Sequence, residues 1–174
     1  MELLGYEEGL SELEMISMVI SINLELNINN SIIKINHLGD KETKEKFCKS
    51  LKKYLEPHTS KLDKKDIDRL NKNPLRILDS KNTDTQNILE KAPKISDFIS
   101  DEASNLLNTI QNTYPDNKIE IDHSLVRGLD YYTGFVFEAI SENLGAQDSY
   151  LGGGRYDQLF EDLGGKSLPA IGMA

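Results

Sequence analysis

Cysteine is nearly absent: Cys48 is the single thiol in 174 residues. No internal disulfide framework can form, and a reducing compartment is expected. His37, His58 and His123 lack metal-ligand spacing, and one thiol does not complete a zinc set, so no metal site is expected. Cys48 stands beside Phe47 on a helical stretch and reads as a small buried hydrophobe rather than a nucleophile. No apolar run approaches the length of a membrane span, and Met1-Glu2-Leu3-Leu4-Gly5 carries no basic leader, so a soluble cytoplasmic protein is expected. There is no serine in a nucleophile elbow, no internal repeat and no low-complexity tract. Positive charge is also in deficit, with 20 Lys and Arg against 29 Asp and Glu. The net charge of −9, taken whole, argues against a nucleic-acid partner.

What is present fits a globular chain, one domain or a core with a small insert: 38% of residues are hydrophobic and 28% charged. The charge is uneven. Residues 41–72 hold 11 Lys and Arg against 6 Asp and Glu, a local +5 on an acidic protein. Such a segment could meet a polyanion, or be the solvated face of a Lys-rich helix.

Ser11 and Glu14 have capping-box spacing. Leu10, Leu13, Ile16, Val19, Ile20 and Leu24 recur at helical spacing, with Met15, Met18, Ile22 and Leu26 opposite, which predicts a helix buried nearly all round. Ser31 to His37 reads as a strand, followed by an N-cap at Asp40. Phe47, Leu51 and Leu55 line one side of a Lys-rich helix that stops before Pro57. Ile67 and Leu70 mark a short helix ended by Asn73-Pro74, and Asp84 to Lys91 a further turn or two. Ser96 is expected to open the clearest amphipathic helix, which runs to Pro115. The organisation predicted is a core segment at 1–40, an all-helical insert with little core of its own at 41–115, and a second core segment at 116–174. Ile119 to Ile121, Thr133 to Ile140 and Tyr150 to Gly154 read as strands, and Tyr156 to Leu163 as a short helix stopped by Gly164-Gly165.

The chemistry concentrates in two blocks, Leu125-Val126-Arg127-Gly128-Leu129-Asp130-Tyr131-Tyr132-Thr133-Gly134 and Gly152-Gly153-Gly154-Arg155-Tyr156-Asp157. Arg127, expected near the end of an apolar strand, suits phosphate or carboxylate because its planar fork bonds two oxygens at once. A structural salt bridge to Asp130, Glu138 or another carboxylate is the competing reading. Tyr131 and Tyr132, if extended, point to opposite sides, so that one reaches a given pocket. The glycine run lacks P-loop or dinucleotide spacing and suits a close approach of backbone to a ligand or a neighbouring strand.

The first block resembles the signature peptide of histidyl-tRNA synthetases. Gly153-Gly154-Arg155-Tyr156-Asp157, Leu163-Gly164-Gly165 and Pro169-Ala170-Ile171-Gly172-Met173-Ala174 resemble the family's next blocks, in order. Ile33 to Asp40 and Asn73 to Lys81 match two more. The resemblance implies an α+β fold: part of the class II antiparallel sheet with flanking helices, interrupted by the helical insertion. It implies a homodimer that activates histidine with ATP and Mg2+ to histidyl-adenylate, then acylates tRNA(His). By the same resemblance Arg127 would contact the α-phosphate and the histidine carboxylate and stabilise charge at phosphorus. Tyr132 with Glu2 would bond the two imidazole nitrogens, and Tyr131 and Tyr156 would line the pocket. Residues 41–115 would be the family's insertion, with the tRNA acceptor stem as partner.

A full enzyme of this family is more than twice as long, and its dimer motif, last class II motif and anticodon-binding domain have no match here. The resemblance therefore implies a fragment that holds no cofactor and makes no adenylate alone. The alternative is a synthetase-like regulatory or tRNA-sensing module without aminoacylation. The unbroken Arg-Gly-Leu-Asp-Tyr-Tyr core at 127–132 speaks against it.

Overall fold

Ile33 and Ile35 alternate with Lys34 and Asn36, and this period of two sets which face of a sheet each residue occupies. A computed structural model describes residues 1–127, 131–141 and 149–174. The strands are β1 (Glu2–Leu4), β2 (Ser31–His37), β3 (Ile119–Ile121), β4 (Phe135–Ser141), β5 (Ser149–Arg155) and β6 (Ala170–Met173). They form one sheet in the order β1-β6-β5-β4-β2-β3. Every described pairing is antiparallel except β2 with β3, which is parallel. The helical stretch between those two strands supplies the long crossover that a parallel pair requires.

The helices are α1 (Leu10–Glu25), α2 (Lys41–Leu55), α3 (Lys64–Lys72), α4 (Thr83–Leu89), α5 (Asp101–Thr113) and α6 (Leu159–Asp162). One face of the sheet packs on α1 and α5, where Met15, Ile16, Val19, Leu107 and Ile110 meet Ile33, Ile35, Phe135, Phe137 and Ile171. The opposite face carries Val136 and Tyr132, joined to a second cluster that includes Phe47, Leu51, Leu55, Leu70, Leu75, Ile77 and Ile95. Residues 41–115 hold α2 to α5 with 3-10 turns between them, and their apolar side chains share a core with the sheet. Phe47, Leu51, Leu55 and Ile77 are fully buried and merge with the sheet. The stretch also divides: α2 to α4 lie on one face, whereas α5 joins α1 on the other.

Other boundaries differ for local reasons. Asp40 caps α2 by accepting from the Thr43 N–H at 2.8 Å, as predicted. The amphipathic helix starts not at Ser96 but after Ser100, whose Oγ accepts from the Ala103 N–H at 3.2 Å; Ile95–Asp97 form a separate 3-10 turn. At α1 the Glu12 carboxylate, not Glu14, accepts the Gly9 N–H at 2.6 Å. That helix is not buried all round either, since Leu10, Leu24 and Leu26 are largely exposed. Arg127 lies on a loop rather than a strand, and β4 begins after Gly134, whose φ of 68° suits glycine.

Candidate functional site

The site is built on bare backbone. Gly152 and Gly154 of β5 and Gly172 of β6 lie on one face, because Gly154 pairs with Gly172 and Gly152 sits two residues before it. Side chains occupy the space their missing Cβ atoms leave. A Cβ at Gly152 would stand 2.7 Å from the Arg127 guanidinium, and one at Gly154 would stand 2.9 Å from the Tyr132 ring. The Glu2 carboxylate lies over Gly172. The glycine run therefore serves as a floor for side chains, the close-approach reading, and not as a phosphate loop.

Along this floor runs a continuous wall. Tyr156 follows β5 and donates its hydroxyl to the Glu2 carboxylate. Its ring stands 5.8 Å from that of Tyr131, edge to face, and Tyr131 stands 4.7 Å from Tyr132. Adjacent tyrosines thus meet on one side rather than pointing apart, because neither lies in a strand. Burial, helped by the neighbouring Tyr131, pushes the Tyr132 phenol up to about 12. Burial and the Glu2 carboxylate push Tyr156 upward as well. Both hydroxyls stay protonated near neutral pH and can donate. Glu2 meets Tyr156, whereas Tyr132 faces Tyr131 and Arg127.

Arg127 ends the wall. Its Nη1 donates to Glu138 Oε1 at 2.7 Å, so the salt-bridge reading is realised with Glu138; Asp130, the other candidate, lies outside the described residues. The pair leaves capacity, since Arg127 Nε is buried without a hydrogen-bond partner among the described residues. A buried donor without a partner is costly, and an anion would relieve it. The pair borders an open cleft of about 660 Å³ that also touches Lys34, Asp122, Ser80 and Lys81. Lys34 is held on Asp122 at 2.9 Å.

Beneath the floor, on the α1 side, lies a network that the residue patterns do not reveal. Arg155 is 2% exposed and Glu12 fully buried. Arg155 Nε donates to Glu12 Oε1 at 2.7 Å, Nη2 to Ser11 Oγ at 2.7 Å, and Nη1 to Asp157 Oδ1 at 2.9 Å. His37 accepts the Gly39 N–H at Nδ1, which leaves Nε2 to donate to Glu8 at 2.9 Å. Removing one member of such a buried pair costs about 3–5 kcal/mol. The missed signal was a charged residue, Arg155, at the inward position of a strand whose neighbours are glycines.

The remaining candidates fall elsewhere. Burial pushes the Cys48 thiol up, which leaves it unactivated. His123 is lowered by burial and by Lys94, and its ring lies 3.4 Å from Asn36. Among the described residues no group of His, Cys, Asp and Glu converges as a metal site would require, and no helix is long and apolar enough to cross a membrane.

A family model described as Histidyl-tRNA synthetase matches residues 1–174. A histidine–tRNA ligase of Francisella philomiragia is 42% identical over 99% of this chain, and one of Prochlorococcus marinus is 44% identical over 99%. The chain spans 42% and 41% of their respective lengths. The apo histidyl-tRNA synthetase of S. aureus superposes with a TM-score of 0.73 at 30% identity, covering 99% of this chain and 42% of that structure. With a family model across its full length and relatives above 40% identity, the chain belongs to the histidyl-tRNA synthetase family.

Proposed function

We propose that this chain forms one wall of the amino-acid-activation site of a histidine–tRNA ligase. In that reaction histidine and ATP give histidyl-adenylate and pyrophosphate, and the histidyl group then passes to tRNA(His). The observation that carries the reading is the unbroken row Glu2–Tyr156–Tyr131–Tyr132–Arg127 on a glycine floor. An imidazole needs one acceptor and one donor on opposite edges. The Glu2 carboxylate supplies the first and the protonated Tyr132 phenol the second, while the Tyr156 hydroxyl is given to Glu2. Arg127 supplies fixed positive charge for the histidine carboxylate and the α-phosphate, where negative charge grows as the histidine oxygen attacks phosphorus. No proton transfer by arginine is needed.

ATP and Mg2+ enter as the complete enzyme's substrate and its metal. The described residues offer no convergent ligand set, so the metal is assigned no step here. Residues 41–115 are the proposed insertion, with α2 to α4 as its body. The exposed Lys46, Lys49, Lys52, Lys53, Lys64 and Lys65 are its candidate surface for the tRNA acceptor stem. Homodimerisation and a cytoplasmic location are proposed for the complete enzyme. A structure titled as an ATP phosphoribosyltransferase regulatory subunit/histidyl-tRNA synthetase from Bacillus halodurans shares the fold at 20% identity, with a TM-score of 0.57. The fold therefore does not separate enzyme from regulator, whereas the Arg127–Tyr131–Tyr132 wall favours the enzyme. Histidine-dependent ATP–pyrophosphate exchange tests the reading: the complete protein should support it and this chain alone should not. No exchange by the complete protein, or robust exchange by the isolated chain, would contradict it.

A further inference from the structure

Among the described residues a polar contact joins the helical stretch to the tyrosine wall. Lys44, on the second turn of α2, donates from Nζ to the Tyr132 carbonyl at 2.8 Å. The same junction is bonded on both sides of the next glycine: the Leu38 N–H donates to the Gly134 carbonyl at 2.7 Å, and the Gly134 N–H to the Gly39 carbonyl at 3.0 Å. Gly39 has a φ of 70°, and a Cβ there would collide with the Thr43 side chain, so α2 departs from β2 in one tight, fixed direction. The Tyr132 ring is buried in the cluster that holds Phe47, Leu51 and Leu75. Lys44 and Tyr132 also border, with Arg127 and Cys48, a cavity of about 210 Å³. The cavity leaves room behind the wall, and the Lys44 bond adds a side-chain constraint on the Tyr132 backbone to the backbone bonds at Thr133 and Gly134.

We infer that Lys44 is a positioning residue: it holds the Tyr132 backbone, and through it the phenol, at the height the substrate requires. It thereby ties the Lys-rich helix α2 to the activation site. An anion drawn to the exposed lysines of α2 would act on the helix that carries this bond.

The consequence for histidine binding rests on the proposed function, so the test has an arm that does not. In the complete enzyme, Lys44→Met should raise the KM for histidine in exchange by roughly 10-fold or more, the lower end of the effect of losing a hydrogen bond from a charged donor, with a smaller change in kcat. Lys44→Arg, which keeps a cationic donor, should restore most of it. In protein labelled with 3-fluorotyrosine, the Tyr132 resonance, identified by its loss in Tyr132→Phe, should move in Lys44→Met and return in Lys44→Arg. An unmoved Tyr132 signal and an unchanged histidine KM would overturn the inference. If wild-type enzyme shows no exchange, the proposed function fails while the fluorine signal still decides the role of Lys44. Should Lys44→Met not fold, Lys44→Gln, which keeps a shorter donor, is read by the same two measurements.

Discussion

A methyl group at Gly152 would be driven into the Arg127 guanidinium. The guanidinium is the far end of a flexible side chain and can move, so the backbone of β5 need not. Gly152→Ala should therefore lower histidine activation by on the order of 10-fold or more, because small misplacements of a charge-stabilising group are costly. The thermal midpoint should hold or rise slightly, since Ala reduces the freedom of the unfolded chain. Paired exchange assays and melting curves on the complete enzyme would check the split; a fall in both together would show that strand damage is the cause. The residue types of this wall could be read from the sequence because Arg, Tyr and Gly cluster in two short blocks. The Arg127–Glu138 pair was readable only as one of several salt-bridge alternatives. The facing of Tyr131 and Tyr132 was not readable, because the alternation rule applies to strands and those residues precede one. The Arg155–Glu12 pair was also hidden, since its partners stand on α1 and β5, far apart in the chain.

Within the helical stretch, Asp66 of α3 plays a part that no motif announces. It is 1% exposed and accepts from Ser80 Oγ at 2.5 Å, Thr85 Oγ1 at 2.8 Å and Arg69 Nη1 at 2.9 Å. Burial pushes this carboxyl up, but the bonds from Ser80, Thr85 and Arg69 outweigh it and hold it below the ordinary range. A depressed folded-state value stabilises fully above the unfolded value, near about 4, and the contribution fades as pH falls through the folded one. Asp66→Asn should thus destabilise by about 2–4 kcal/mol at neutral pH, with the gap to wild type narrowing below about pH 4. Urea midpoints measured across that range would show it, and a gap independent of pH would contradict it. The elements themselves were legible where one rule dominated: Phe47, Leu51 and Leu55 for α2, the alternation for β2, and Asn73-Pro74 for the end of α3. They were less legible where two caps compete. Ser96 and Ser100 both suit an N-cap, but Ser96 is taken up in the Ile95–Asp97 turn, which leaves Ser100 to cap the helix.

The placement of α5 could not be read from its own pattern. An amphipathic stripe states that a helix has a buried face, not which side of a sheet receives it. Its packing beside α1 leaves α2 to α4 alone on the face that carries the tyrosine wall. This arrangement puts α2 and α3, which carry the exposed lysines, on the sheet face that holds the tyrosine wall, the side that the proposed acceptor-stem contact requires. Binding of tRNA(His) to the complete enzyme should weaken on exchanging Lys49, Lys52 and Lys53 for Glu, and the variant should lose part of the salt slope. An unchanged slope would assign those lysines to solvent. The proposal turns on Arg127, poised on Gly152 with Nε unpaired among the described residues, as the group that would stabilise the charge formed when histidine attacks ATP. Histidine-dependent ATP–pyrophosphate exchange by the complete enzyme carrying Arg127→Ala tests it directly. The account predicts a rate lower by on the order of 10²-fold or more, the range for losing one preorganised charge-stabilising group; a rate near that of wild type would contradict it.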